Sequence, residues 1–328
     1  MLVNESIPRD ILRLTIWYPF RGIIRLLPVS WDFTLLRYLG RLHYIIFPGK
    51  NEILAENLKL AFGETFNEDE LKNIILKYYG NHYVNQLQIF LFPRLNKKNI
   101  DRYHTFDGLD NLDRALAGKR GCILMHAHLG PTQLPLCILG IKGYRMVQIG
   151  FPSDEGLNWI GKNVAFRLRL KYEAKIKASI VSVKSFLRPV FGHLKNNGVV
   201  MITGDGAGGV GPIGKYERFD FFNQQIPFTM GAFRLAQKTG APILPLFTVY
   251  EENDGRYKTI IERPLDTDRR FGEDAVSGRM NIFVERLKDY VAAAPYLWHF
   301  WDEFALRSSE RYTDFTERGQ GRKSAGPD

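Results

Sequence analysis

The chain has 328 residues, 45% hydrophobic and 24% charged, which is enough apolar material for one large core and excludes a disordered or fibrous protein. Its formal net charge of +10 is spread along the chain, which suits an anionic membrane surface or an acidic carrier protein; with no RNA-recognition or zinc-finger pattern among the basic residues, nucleic acid is not an expected partner. Cys122 and Cys137 are the only cysteines, too few for a disulfide framework or a zinc site, and a reducing, cytoplasmic setting follows.

Residues 1–48 are expected to form an amphipathic, membrane-associated helical segment. Arg13, Arg21, Arg25, Arg37 and Arg41 interrupt its apolar stretches before any reaches the ~20 residues that span a bilayer. Apolar and aromatic side chains interleaved with arginine suit a helix lying in the plane of an interface, and equally a core helix with exposed arginines. Asn67, followed three residues later by Glu70, predicts a capping box opening a long helix that runs to about Phe92, where Pro93 stops it.

Beyond this helix the pattern becomes strand alternating with helix. Buried strands are expected at 122–125, 145–149, 199–203 and 243–250, with helices at 155–170, 186–195 and 229–238. The uncharged run 121–141 contains two histidines and two prolines, and reads as a strand followed by a helix with Pro131 in its first turn rather than as a membrane span. Thr229 is expected to cap its helix and Gly240 to end it. The fold class that follows is α/β: a mainly parallel central sheet with helices on both faces, occupying residues 49–307, with a polar tail over 308–328 that is expected to be disordered. In such sheets ligands bind beyond the carboxyl ends of the strands, so the segments after the strands carry the functional information.

Three constellations lie there. Gly204 to Gly209 satisfies the glycine spacing of a dinucleotide loop, but Gly211, Pro212 and Gly214 prolong the loop where a helix should open, so it reads as a loop that lets backbone approach a substrate and no cofactor is expected. His126 and His128 point the same way on a strand and would suit a metal-dependent hydrolase if a third ligand converged on them. His128, with Gly130 and Gln133, can act as a base at a strand end beside a helix N-terminus, where backbone N–H groups around Gly130 are placed to hold an oxyanion.

From about Trp31 to Trp298 several blocks stand in order. They are Asn57-Leu58-Lys59-Leu60-Ala61-Phe62, Gly121 to Leu124 followed by Ala127-His128-Leu129-Gly130, Arg167 with Arg169, Val199 to Asp205, and Phe221-Phe222 through Pro227 to Ala241-Pro242. In these the chain resembles the lysophospholipid acyltransferase superfamily, and within it the branch that adds secondary acyl chains to lipid A. The resemblance implies an acyltransferase at the cytoplasmic face of the inner membrane, moving a fatty-acyl chain from acyl carrier protein or CoA to a hydroxyl or amine of a lipid or glycolipid. It assigns general-base catalysis to His128, and to Arg167, Arg169 and Asp205 the positioning of donor or acceptor.

The family's histidine motif is H-x4-D/E, and here Gln133 stands where the carboxylate belongs. Gln133 is therefore expected to orient the imidazole without supplying charge, which implies weakened base catalysis, or a lipid-binding relative of the same fold without turnover, with Gln133→Glu raising the rate of an active enzyme. The family's D-x-D becomes Asp205-Gly206-Ala207, and its Trp-His-Arg-Arg cluster becomes Trp298-His299-Phe300-Trp301. Fewer paired arginines imply an acceptor with fewer phosphates.

Overall fold

The structure, a computed structural model, describes residues 6–150, 154, 156–182, 187–206, 215–265 and 273–309. Among the described residues there are nine strands: β1 (His104–Asp107), β2 (Cys122–His126), β3 (Met146–Gly150), β4 (Ala178–Ser182), β5 (Val199–Thr203), β6 (Tyr216–Phe221), β7 (Gln224–Thr229), β8 (Ile243–Glu251) and β9 (Arg256–Ile261). Seven of them form one sheet in the order β1-β9-β8-β2-β5-β3-β4, parallel throughout except for the antiparallel β8–β9 pair, while β6 and β7 form a separate hairpin.

All four expected strands are present. β2 is buried at every position, as a central strand covered on both faces must be. Helices Leu134–Lys142, Arg188–Lys195, Gly231–Thr239 and Glu273–Ala293 pack on the sheet. The strands not foreseen at the margins of the sheet, β1 and β4, are half-exposed, and so lack the continuous apolar run that marks β2.

Several boundaries differ from expectation for local reasons. Thr229 ends β7 instead of capping a helix; the following helix starts at Gly231 after Met230. Pro131 lies in a turn, and the helix it was expected to open begins at Leu134 with Gln133 at its N-cap and Pro135 in its first turn. The segment expected as one helix over 155–170 holds wider turns at Gly161–Phe166 and continues as Arg167–Glu173; residue 155 lies outside the described residues. Gly240 does end its helix in the left-handed region, φ 70°.

The capping box is formed. The Asn67 side chain accepts from the Glu70 backbone at 3.0 Å, and the Glu70 carboxylate accepts from the Asn67 N–H at 2.9 Å, opening helix Glu68–Leu87. This helix ends at Leu87, short of the expected Phe92, in two tight turns through Arg94. Helix Val29–Ile46 crosses it where Gly40 meets Gly80: a Cβ on Gly40 would collide with the Gly80 backbone, so a glycine is needed for the helices to approach this closely. The N-terminal segment is not a separate layer. Trp17, Ile24, Phe33 and Leu36 are buried in the same apolar core as β2, and Arg94 ties the carbonyls of Ile24 and Leu27 to the body. The break at Phe47 separates helix Val29–Ile46 from Pro48–Phe62. Of the tail, residues 310–328 lie outside the described residues.

Candidate active site

β2 and β5 run parallel with Cys122 opposite Val199 and His126 opposite Thr203. Continued two residues past both strand ends, the same 77-residue offset places Asp205 opposite His128, and the two side chains meet there. His128 Nδ1 lies 2.8 Å from Asp205 Oδ1, and the His128 backbone N–H donates to Oδ2 at 2.8 Å. The Trp298 indole N–H adds a third bond to Oδ2 at 3.2 Å.

Asp205 is fully buried, which alone would raise its carboxyl; the charge and hydrogen bonds of His128, followed by the Arg307 charge, outweigh this and hold it below the ordinary carboxylate range. An ionised carboxylate only accepts, so Nδ1 is the donor in this contact, and in the neutral ring that tautomer leaves the lone pair on Nε2. The His128 side chain is 26% exposed, so the imidazole is not sealed from the surface. A paired imidazole of this kind can take a proton at Nε2 while the carboxylate stabilises the imidazolium that forms.

The loop carrying His128 is held from two directions. A short antiparallel contact pairs Leu129 with Trp298: Gly130 N–H donates to Leu297 O at 2.9 Å and His299 N–H to His128 O at 3.0 Å. The His299 ring donates through Nε2 to Gly130 O at 2.7 Å, and burial pushes its titration down to about 3, so it stays neutral. From helix Glu68–Leu87, three residues on one face reach the same two segments. Tyr78 donates to His299 O, Asn81 to Leu297 O, and the Asn85 carbonyl accepts from both the N–H and the hydroxyl of Thr132.

The predicted site residues fall into separate groups. His128, Gly130 and Asp205 come together. Gln133 does not touch the imidazole: its amide donates to Glu173 at 3.4 Å, and Glu173, itself buried, receives Arg169 at 2.8 Å. Gln133 is turned away because the chain makes a further turn before its helix starts, placing it at the N-cap of Leu134–Lys142 instead of folded back on the strand end. Arg167 is exposed, and the two-residue spacing on helix Arg167–Glu173 separates it from Arg169 by about 200°.

Gly130 has φ +64°, and a Cβ there would lie 3.0 Å from Thr248 O, so glycine is required. Its N–H, expected to face an oxyanion, is instead taken by Leu297. His126 is buried 6.4 Å, ring to ring, from His128, with burial pushing it down to about 4. Among the described residues no three His, Cys, Asp or Glu side chains converge as a metal site would need. Gly206 has φ +97°, residues 207–214 lie outside the described residues, and the chain is next described at Lys215, ahead of strand β6.

Sequence reasoning missed Trp298, Phe300 and Arg307 as neighbours of the pair. It also gave Asp205 a substrate-positioning role and not the contact with His128. The usable signal was positional: two adjacent buried strands of equal length, each followed two residues later by a group able to pair.

A phosphatidylinositol mannoside acyltransferase of Mycobacterium tuberculosis is 24% identical over 267 residues, covering 78% of this chain and 77% of its own. The crystal structure of the 1-acyl-sn-glycerophosphate acyltransferase PlsC from Thermotoga maritima aligns over 80% of this chain and 97% of its own, at 18% identity and a TM-score of 0.35. Residues 8–302 match the family described as bacterial lipid A biosynthesis acyltransferase, and the chain belongs to that family.

Proposed function

We propose that this acyltransferase moves a fatty-acyl chain from a thioester of acyl carrier protein or coenzyme A to a hydroxyl of a membrane glycolipid, with His128 as general base and Asp205 as its charged partner. The His128–Asp205 contact at 2.8 Å carries the reading. The acceptor O–H gives its proton to Nε2 as its oxygen attacks the thioester carbonyl. Collapse of the tetrahedral intermediate expels the thiolate, which recovers the proton from the imidazolium. Gln133 holds Glu173 and, through it, Arg169, while exposed Arg167 is a cation that can meet a donor or head-group phosphate. The reason for suspecting a silent, lipid-binding fold was a histidine without charge beside it, and Asp205 supplies that charge. Likeness to the mannoside acyltransferase supports a sugar hydroxyl of a glycosylated phospholipid as the acceptor.

The exposed faces of the first helices support a membrane-surface setting. Ile7, Ile11 and Leu14 are exposed on helix Ile7–Thr15, and Trp31, Tyr38 and Ile45 on helix Val29–Ile46, whose opposite face buries Phe33 and Leu36. A helix apolar on its outward face, flanked by exposed Arg9, Arg25 and Arg41, suits an anionic bilayer surface. Among the described residues no helix is long and apolar enough to cross a membrane. The thioester donors and the two buried free thiols fit the cytoplasmic face.

The test is purified protein with acyl-CoA or acyl carrier protein thioester and glycolipid-bearing vesicles, followed by mass spectrometry. Wild type should acylate the glycolipid and His128→Ala should not. A wild-type protein that retains lipid without consuming either thioester would sink the reading.

A further inference from the structure

Behind the pair stands a buried cation that the reaction as described does not use. Arg307 lies on the short helix Phe304–Ser308, which is fixed by the Ala305 N–H donating to Asn57 Oδ1 at 3.1 Å and by Trp301 and Phe304 packing on each other. Its side chain is 1% exposed. Nη2 donates to the backbone carbonyl of Asp205 and reaches that of Pro227 at 3.4 Å. The guanidinium sits 4.2 Å from the centre of the Phe300 ring, which also packs on the His128 imidazole at 4.6 Å and on the Trp298 ring at 5.7 Å. A Cβ on Gly206 would lie 3.0 Å from Nη2, so the loop backbone is pressed against the cation.

Nε and Nη1 of this guanidinium have no hydrogen-bond partner among the described residues. Burying a cation with unpaired donors is costly, and two backbone carbonyls could be held as well by a neutral amide. What a neutral side chain could not do is balance the fully buried Asp205 carboxylate.

We propose that Arg307 is a positioning residue of the His128–Asp205 pair, holding Asp205 from behind through its backbone and its charge and backing the imidazole through Phe300. It touches neither reacting atom, so it acts through the two residues it holds. The kinetic side of the proposal rests on the acyl-transfer reading; the geometric side does not.

The experiment compares full-length wild type, Arg307→Met and Arg307→Lys, each checked for folding by circular dichroism. Two readouts are taken: kcat and KM with palmitoyl-CoA and glycolipid vesicles, and the downfield proton resonance of the His128 Nδ1–H···Asp205 bond. Arg307→Met, close in length and uncharged, should lose about 10- to 100-fold in kcat with KM little changed, because the pair is displaced and not the substrate. Its downfield resonance should move or vanish, and Arg307→Lys should recover part of both.

A folded Arg307→Met with wild-type kcat and an unmoved resonance overturns the proposal, as does a loss confined to KM. Should the Met variant not fold, Arg307→Lys carries the same two readouts. A several-fold loss of kcat with a shifted resonance then supports the proposal, and no change in either overturns it. If wild type itself shows no turnover, the acyl-transfer reading fails while the resonance still decides the role of Arg307.

Discussion

Asp205 and Glu173 are both buried carboxylates within one contact of a residue that the histidine motif singles out, yet they are held in opposite ways. Asp205 is enclosed by His128, Trp298 and Arg307 beyond the end of β5. Glu173 ends a helix, receives Arg169 and Gln133, and does not reach the imidazole. The residue at the motif's local acid position, Gln133, thus serves the second carboxylate, while the charge beside the histidine comes from 77 residues away. Loss of the local acid at position 133 therefore does not leave the imidazole uncharged on its far side.

The largest expected effect is at Asp205. Asp205→Asn keeps the shape and removes the charge that stabilises the imidazolium, so kcat for acyl transfer should fall by about 10²- to 10⁴-fold with the fold retained. A loss of only a few-fold would place the charged partner elsewhere.

Gln133→Glu separates the two carboxylates next. The motif predicts a faster enzyme, whereas the structure predicts a carboxylate set against Glu173 in place of an amide that donates to it. Stability should drop by roughly 1–3 kcal/mol in urea titration, with no gain in kcat. A rate increase would mean the side chain turns toward His128 once charged.

The third prediction concerns pH. Because the Asp205 carboxyl is depressed in the fold, the native state binds fewer protons there than the unfolded chain. Its contribution is fully present above the ordinary carboxylate value and is lost as pH falls through the depressed one. The stability gap between wild type and Asp205→Asn should accordingly be widest at neutral pH and close on acidification below about pH 4. A gap that stays constant with pH would show that Asp205 does not act as an ionised group.

Smallest is Glu173→Gln, which loosens half-exposed Arg169 without touching the imidazole. Thermal stability should shift by about 1 kcal/mol or less and kcat by no more than several-fold. A loss as large as that of Asp205→Asn would erase the distinction between the two carboxylates.

Much of this architecture is legible in the chain because it is local. Four strands announced themselves as apolar runs, the Asn67–Glu70 box opened its helix, and Gly240 closed another, each set by the side chains of a few neighbouring residues. Half-exposed β1 and β4 were not legible, since their burial depends on which helices lie over the sheet margins. Helix Val29–Ile46 reads as amphipathic from its sequence, but which apolar face it buries was decided by the Gly40–Gly80 crossing.

At the site, the sequence by itself determined that a histidine would stand at the carboxyl end of a central strand and that an aspartate would follow another. That the two meet was decided by strand register, which is a long-range pairing that no local spacing encodes. The same holds for Arg307: a cation far along the chain becomes the neighbour of Asp205 because its short helix docks on Asn57 and brings its guanidinium to the Asp205 carbonyl past the end of β5. Local chemistry chose which groups can react; tertiary packing chose which carboxylate the histidine has.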